Sequence, residues 1–381
     1  MGGLSGLSVC VVCGALLAAL LGHFMWDGRS ADVKADSILF VPQSFDQTVH
    51  LPEEAEGAAR RRFHFDLPAA DHAGGGPSPI IFLIHGKTSN GDDMKTLFGP
   101  EAVARARREG FVVVYPVGTI RNEARTWNAG GVHAHNNADD VGYFSAVVRH
   151  LAANFNADPR SVFLAGMSNG GFMTHRLACA WADSNTIRVR AIVPTLGGMA
   201  TMKYDTACRG EMLKMGGVPI PPIRVFNQSQ CPFAYWRDAP AHFACDKVVD
   251  LPAMLMHGAE DMLVPLSGSL TSDGELYPPV EYTLRLYAEA NGCDYAAERT
   301  LTYSKTSPDN GEDVTTCHSL QKCRANTTLC VSRNSGHNWV TPTNGIDPAA
   351  PSRFLTWLFG PYAQTMDTGL EMLTFFSGHR E

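Results

Sequence analysis

Five apolar runs recur along the chain: PIIFLIHG (79–86), FVVVYP (111–116), VFLAGM (162–167), AIVPTLGG (191–198) and PAMLMHG (252–258). A strand that leaves one face in water alternates in polarity, whereas an unbroken apolar run needs cover on both faces. The cover is encoded between the runs, where Met94 to Arg108, Asp139 to Asn154 and Phe172 to Trp181 carry apolar residues at helical spacing. Strands and helices in alternation predict an α/β protein with a mostly parallel central sheet and helices on both faces. RRFHFDL (61–67) alternates instead and predicts an antiparallel edge strand. No internal repeat is visible, so one domain accounts for the pattern.

The first 26 residues contain no Asp, Glu, Lys or Arg, and Val9 to Gly22 is an apolar or small-residue run of signal-peptide length. Extended through Phe24, Met25 and Trp26, the same run approaches the length of a single membrane anchor. Either reading places the body outside the cytosol, secreted or tethered; a membrane is a partner only if the segment is retained. Residues 27–59 then form an N-terminal extension, 60–362 the folded domain and 363–381 a C-terminal tail, with Ala349 to Phe359 expected as the last packing helix. The 44 residues that follow His337 leave no room for an appended polymer-binding domain. Of ten cysteines, eight lie in the body, which in an exported chain suggests disulfides. Asn227-Gln228-Ser229 and Asn326-Thr327-Thr328 are glycosylation sequons. Net charge is −7 and the longest basic run is Arg60-Arg61-Arg62, so nothing marks a nucleic-acid partner. No cysteine or histidine set has metal-ligand spacing, and no metal or cofactor is expected.

One interval breaks the alternation. Residues 199–250 are rich in Pro, Cys and aromatics and far exceed an ordinary connection. They read either as a lid whose Phe226, Phe233, Tyr235 and Trp236 wall a substrate cleft, or as a disulfide-stapled surface excursion.

Ser168 sits in Gly166-Met167-Ser168-Asn169-Gly170, where an apolar run stops and a helical segment starts at once. Serine there is either a helix cap or a nucleophile on a tight turn, with the glycines permitting close approach. A nucleophile needs a base, an orienting acid and an oxyanion site. Asp261 follows the run PAMLMHG, with Glu260 beside it as the alternative acid. His337 follows the last strand-like run, LCVSR (329–333). The order Ser168, Asp261, His337 is the order of the α/β-hydrolase triad. His85-Gly86-Lys87 ends the first strong strand, so the backbone amides of Lys87 and Asn169 are the candidate oxyanion donors. His85 itself is expected to hold the loop through hydrogen bonds.

IIFLIHG, VVVYP, TWNAGG, ADDVGYFSAVV, VFLAGMSNGGFMTHRLAC, PAMLMHGAED, NGC and GHNW occur here in the order seen in polyhydroxybutyrate-depolymerase-like esterases, a group that includes feruloyl and acetyl esterases. The resemblance runs from about Arg60 to Phe359. It implies an α/β-hydrolase fold and cofactor-free serine ester hydrolysis of hydroxyalkanoate oligomers or of hydroxycinnamate or acetyl esters. By position it implies Ser168 as nucleophile, Asp261 as acid and His337 as base, with Trp127, Asn128 and Trp339 as substrate-site residues. It also implies a Cys293–Cys323 disulfide. The chain departs from the family in carrying Lys87 and Val132 where cysteines are frequent, and Val340 in place of proline after GHNW. An inactive binding protein on the same fold and a serine peptidase are the competing expectations.

Overall fold

The computed structural model describes residues 44–50, 60–70, 75–121, 124–130, 138–199, 202–203, 211–215, 218–225, 245, 248–270, 275–307, 311–341, 360–361 and 363–380. In chain order these form β1 (Ser44–His50), β2 (Arg60–Asp66), β3 (Ser78–Ile84), α1 (Gly91–Phe98), α2 (Pro100–Arg108), β4 (Val112–Pro116), β5 (Thr119–Arg121), β6 (Ala124–Thr126), α3 (Asp140–Phe155), β7 (Ala157–Met167), α4 (Asn169–Ala180), β8 (Val189–Thr195), β9 (Met202–Lys203), β10 (Glu211–Met215), β11 (Val218–Val225), β12 (Ala253–Gly258), β13 (Ser269–Leu270), β14 (Glu275–Tyr277), α5 (Val280–Ala290), β15 (Asp294–Ser307), β16 (Gly311–Gln321), β17 (Thr327–Ser332) and α6 (Thr368–Ser377). The leader, Val132, Cys208, Cys231, the four insertion aromatics and residues 349–359 lie outside the described residues.

The main sheet has ten strands in the order β1-β2-β4-β3-β7-β8-β12-β17-β16-β15. Its centre, β4-β3-β7-β8-β12-β17, is parallel, and both flanks are antiparallel. The apolar runs fill this centre because their side chains go to two cores. From β3, Ile80, Phe82 and Ile84 enter one core beside α3 and α4, while Ile81 and Leu83 enter the other beside α1, α2 and α6. All five are fully buried, and each such side chain contributes about 1.5–3 kcal/mol.

Several expectations are corrected. The segment predicted as one helix from Met94 is two, because Pro100 removes a donor and pushes Gly99 out of helical geometry, to φ 89° and ψ 147°. RRFHFDL is not the edge: β1 pairs outside β2 along its whole length, from Ser44 opposite Asp66 to His50 opposite Arg60. The C-terminal tail contains α6, capped by Asp367, and its Met372, Leu373 and Phe376 are fully buried. The described parts of the 199–250 insertion join β13 and β14 in a five-stranded antiparallel sheet, β10-β11-β13-β14-β9.

Among the described residues, three disulfides tie the periphery. Cys293–Cys323 is the pair the resemblance implies, Cys179–Cys245 links the end of α4 to the approach to β12, and Cys317–Cys330 joins opposed positions of β16 and β17.

Candidate active site

Parallel strands end at one edge of the sheet, so the loops after β7, β12 and β17 emerge on the same side. Ser168 follows β7, Asp261 lies in the turn after β12, and His337 lies beyond β17. Backbone bonds lace this edge: Ser168 N donates to Thr195 O at 2.9 Å, Leu196 N to Met256 O at 2.9 Å and Ala259 N to Ser332 O at 2.9 Å.

Ser168 has φ 56° and ψ −121°, a left-handed conformation for a residue with a side chain. Such a backbone costs about 1–3 kcal/mol and persists where its surroundings enforce it. The enforcement is steric. A Cβ on Gly166 would stand 2.3 Å from Gly170 O, and one on Gly170 would stand 2.1 Å from Ile84 O. The two glycines therefore let α4 start against β3 and β7 directly after the serine. Ser168 makes no side-chain cap to α4 and is only partly buried, so the helix-cap reading does not hold.

The Asp261 and His337 side chains meet, with Nδ1 2.7 Å from Oδ2, and both residues are about 4% exposed. The other carboxylate oxygen accepts the Leu263 and Val264 amides at 2.9 and 2.8 Å. Burial alone would raise the Asp261 carboxyl, but His337, with lesser help from His257 and the Val264 amide, holds it below its ordinary value. Sequence reasoning missed His257, which donates from Nε2 to Val264 O at 2.7 Å and lies 3.5 Å from Asp261 Oδ2. Burial lowers the His257 pKa, so the neutral ring steadies the turn. The loop of His337 closes onto this turn through Glu260 N to Ser335 O at 2.9 Å. Gly258 makes room: a Cβ there would be 2.2 Å from Gly336 O. Glu260 thus serves the turn through its backbone, and the carboxylate at the histidine is that of Asp261.

The expected oxyanion residues flank the serine. The Lys87 and Asn169 amides have no acceptor among the described residues, and Gly86 places its backbone so close that a Cβ would lie 3.3 Å from Ser168 Cβ. His85 secures the loop from below: Nδ1 donates to Gly86 O at 2.7 Å and Nε2 accepts from Gly118 N at 3.0 Å. Burial holds this ring neutral, with a pKa of about 4.

Trp127 and Trp339 occupy different places from those expected, being buried, while Asn128 is half-buried. Trp127 is fully buried, and its indole donates to His85 O at 2.8 Å. It braces the loop and presents no surface to a substrate. Trp339 is 3% exposed and belongs to the core beside α1, α2 and α6. Asn128 is half-buried, its amide nitrogen donating to Ala138 O at 3.0 Å and its carbonyl group accepting from Arg176 at 2.8 Å. The Asn169 side chain was legible only as a spacer between Ser168 and Gly170. In the fold it clamps Trp127, accepting from Trp127 N at 2.7 Å and from Thr126 Oγ1 at 3.1 Å, and donating to Trp127 O at 3.1 Å. No group of three or more potential metal ligands occurs among the described residues.

A family model described as alpha/beta hydrolase fold matches residues 134–269, which include Ser168 and Asp261. With the sheet order and the strand-to-helix elbow, this makes the chain an α/β-hydrolase fold. The chain is 28% identical over 120 residues to a bifunctional acetylxylan esterase/xylanase of Neocallimastix patriciarum, covering 32% of this chain and 16% of that protein. It is 25% identical over 203 residues to the oxidized polyvinyl alcohol hydrolase of a Sphingopyxis species, covering 45% and 52%. It spans between about a sixth and a half of the length of these relatives. Among solved structures, an acetyl xylan esterase from Aspergillus awamori covers 77% of this chain and 94% of its own, at 16% identity and a TM-score of 0.44.

Proposed function

We propose that the protein is an extracellular serine carboxylesterase. The observation that carries this reading is the strained Ser168, its hydroxyl released from any capping bond, on the same sheet edge as the buried Asp261–His337 pair. Ser168 Oγ attacks the ester carbonyl carbon while its proton passes to His337 Nε2. Asp261 accepts from Nδ1 and so fixes the tautomer that leaves Nε2 free. The amides of Lys87 and Asn169 stabilise the tetrahedral oxyanion. Collapse breaks the ester bond, the alcohol leaves with the proton from His337, and water releases the acid from the acyl-serine by the same steps in reverse.

Three disulfides among the described residues fit an oxidising compartment. No helix among the described residues is long and apolar enough to cross a membrane. The preferred substrates in this reading are small or oligomeric esters: acetyl esters of the kind named for the relatives, hydroxycinnamate esters, or hydroxyalkanoate oligomers. A fluorophosphonate probe should label Ser168, and Ser168→Ala should abolish both labelling and turnover of p-nitrophenyl acetate. Full turnover by that variant overturns the assignment. Rates on acetylated xylo-oligosaccharide, methyl ferulate and 3-hydroxybutyrate oligomers then rank the acyl groups, and inertness on all three refutes the substrate classes.

A further inference from the structure

The opposite edge of the sheet carries a second feature. Where β7 and β8 begin and α4 and α6 end, a cleft of about 740 Å³ opens. Arg160, at the start of β7, lies in its wall, and Ser168 follows the far end of the same strand. Eight residues of extended chain separate the two by roughly 26 Å.

The charge of the cleft is unlike that of the chain, whose net charge is −7. Among the described residues its wall holds Arg160, Arg188, Arg190 and Arg380 against one carboxylate, Asp250, which accepts from Arg324 Nε at 2.6 Å. Arg380 reaches Glu109 only at 3.5 Å. Arg160 donates to Asn185 O and Arg190 to Arg380 O, both neutral carbonyls, and the Arg188 guanidinium has no partner among the described residues. The Nε atoms of Arg190 and Arg380 are buried and have no acceptor among the described residues, a condition native proteins rarely leave unmet. Arg190 has a lowered pKa, from burial first and then from Arg188, with Asp158 opposing and Arg160 adding a smaller push. The carboxyl ends of α4 and α6 offset part of this field; an anion must therefore engage more than one guanidinium.

The remaining wall mixes polar Ser184, Ser377 and His379 with apolar residues, of which Trp181, Ile187 and Leu251 are buried and Val249 is 60% exposed. A lone inorganic anion would use the guanidinium groups and leave this surface bare. A sugar ring bearing a carboxylate uses both, and the volume lies within the range of about 300–1,000 Å³ usual for small-ligand sites. We propose that this cleft binds a short uronate-bearing oligosaccharide, its carboxylates on the arginine pair Arg160 and Arg188 and its ring faces on the apolar wall. The cleft would hold the enzyme on an acidic glycan while the opposite edge stays open for chemistry. The binding does not depend on the reading of Ser168.

The test is calorimetric titration of the whole protein with trigalacturonate, with neutral xylotriose and sodium sulfate as separate arms. Saturable one-to-one binding of trigalacturonate is expected, weakening with added salt and falling about tenfold or more in R160A/R188A. Both arginines are exposed, so the variant should keep its circular dichroism and its wild-type rate on p-nitrophenyl acetate. R160K/R188K, which keeps the charge, should recover part of the affinity. Absence of saturable binding up to millimolar trigalacturonate, equal affinity in R160A/R188A, or binding of sulfate or xylotriose as tight as that of trigalacturonate each overturns the proposal. An inert wild-type protein on p-nitrophenyl acetate counts against the Ser168 reading alone.

Discussion

Replacing Asn169 with alanine removes a side chain that touches no substrate in the proposed mechanism and should nevertheless weaken both fold and catalysis. Its amide makes three hydrogen bonds, to Trp127 N, Trp127 O and Thr126 Oγ1, and all three residues involved are at most 8% exposed. A net 1 kcal/mol for each bond gives about 3 kcal/mol, and a Trp127 N–H left buried without an acceptor raises the total to about 5 kcal/mol. The same clamp fixes Trp127, whose indole bonds His85 O and so steadies the Lys87 loop. With the clamp gone, both proposed oxyanion amides lose support, and kcat should fall about 10- to 100-fold with little change in KM. Urea unfolding followed by tryptophan fluorescence measures the first effect, and p-nitrophenyl acetate kinetics the second. A stability loss below about 1 kcal/mol would refute the hydrogen-bond reckoning. The expected loss of stability with unchanged kcat would show that the clamp is only structural.

Asp261→Asn keeps an oxygen for the Leu263 and Val264 amides but can turn an N–H toward His337 Nδ1 and so favour the wrong tautomer; kcat should drop about 10³- to 10⁴-fold, and a loss of less than tenfold on p-nitrophenyl acetate would count against the pair's proposed role. Acid should destabilise the fold through buried histidines, His85 and His175 foremost. Burial sets His85 and His175 at about 4 and about 3, below the ordinary 6.5, so the unfolded chain takes up protons first as pH falls. Their contribution is intact above pH 6.5 and erodes by about 2–3 kcal/mol for each histidine on going to pH 4.5. Urea midpoints across this range measure it, and His175→Phe should reduce the histidine-linked slope; a slope unaltered in that variant would exclude His175 as a source.

How far the chain can be read without its fold differs from element to element. The parallel centre was legible because each of its strands faces two cores, which forces unbroken apolar runs such as Ile80 to Ile84. The elbow was legible as glycines on both sides of Ser168, and each of Ser168, Asp261 and His337 was legible as following an apolar strand-like run. Of the antiparallel flanks only β2 was legible, from its alternation: β15, largely exposed, and β16 are polar strands whose register comes from pairing with each other and with β17. Nor was the packed α6 within the expected tail, since its apolar face has meaning only against α2 and β8.

The sequence by itself determined the layered α/β architecture and singled out the candidate serine, acid and histidine, because burial on two faces and steric room at a turn are local demands written in residue type. Only the tertiary structure decided which side chains work from behind. Trp127, Asn169 and His257 act through bonds to residues 42, 42 and 7 positions away in sequence, and their environments exist only once the strands are side by side. The arginine cleft is of the same kind: Arg160, Arg188 and Arg380 come from three separate stretches and line one cleft only when the fold brings them together.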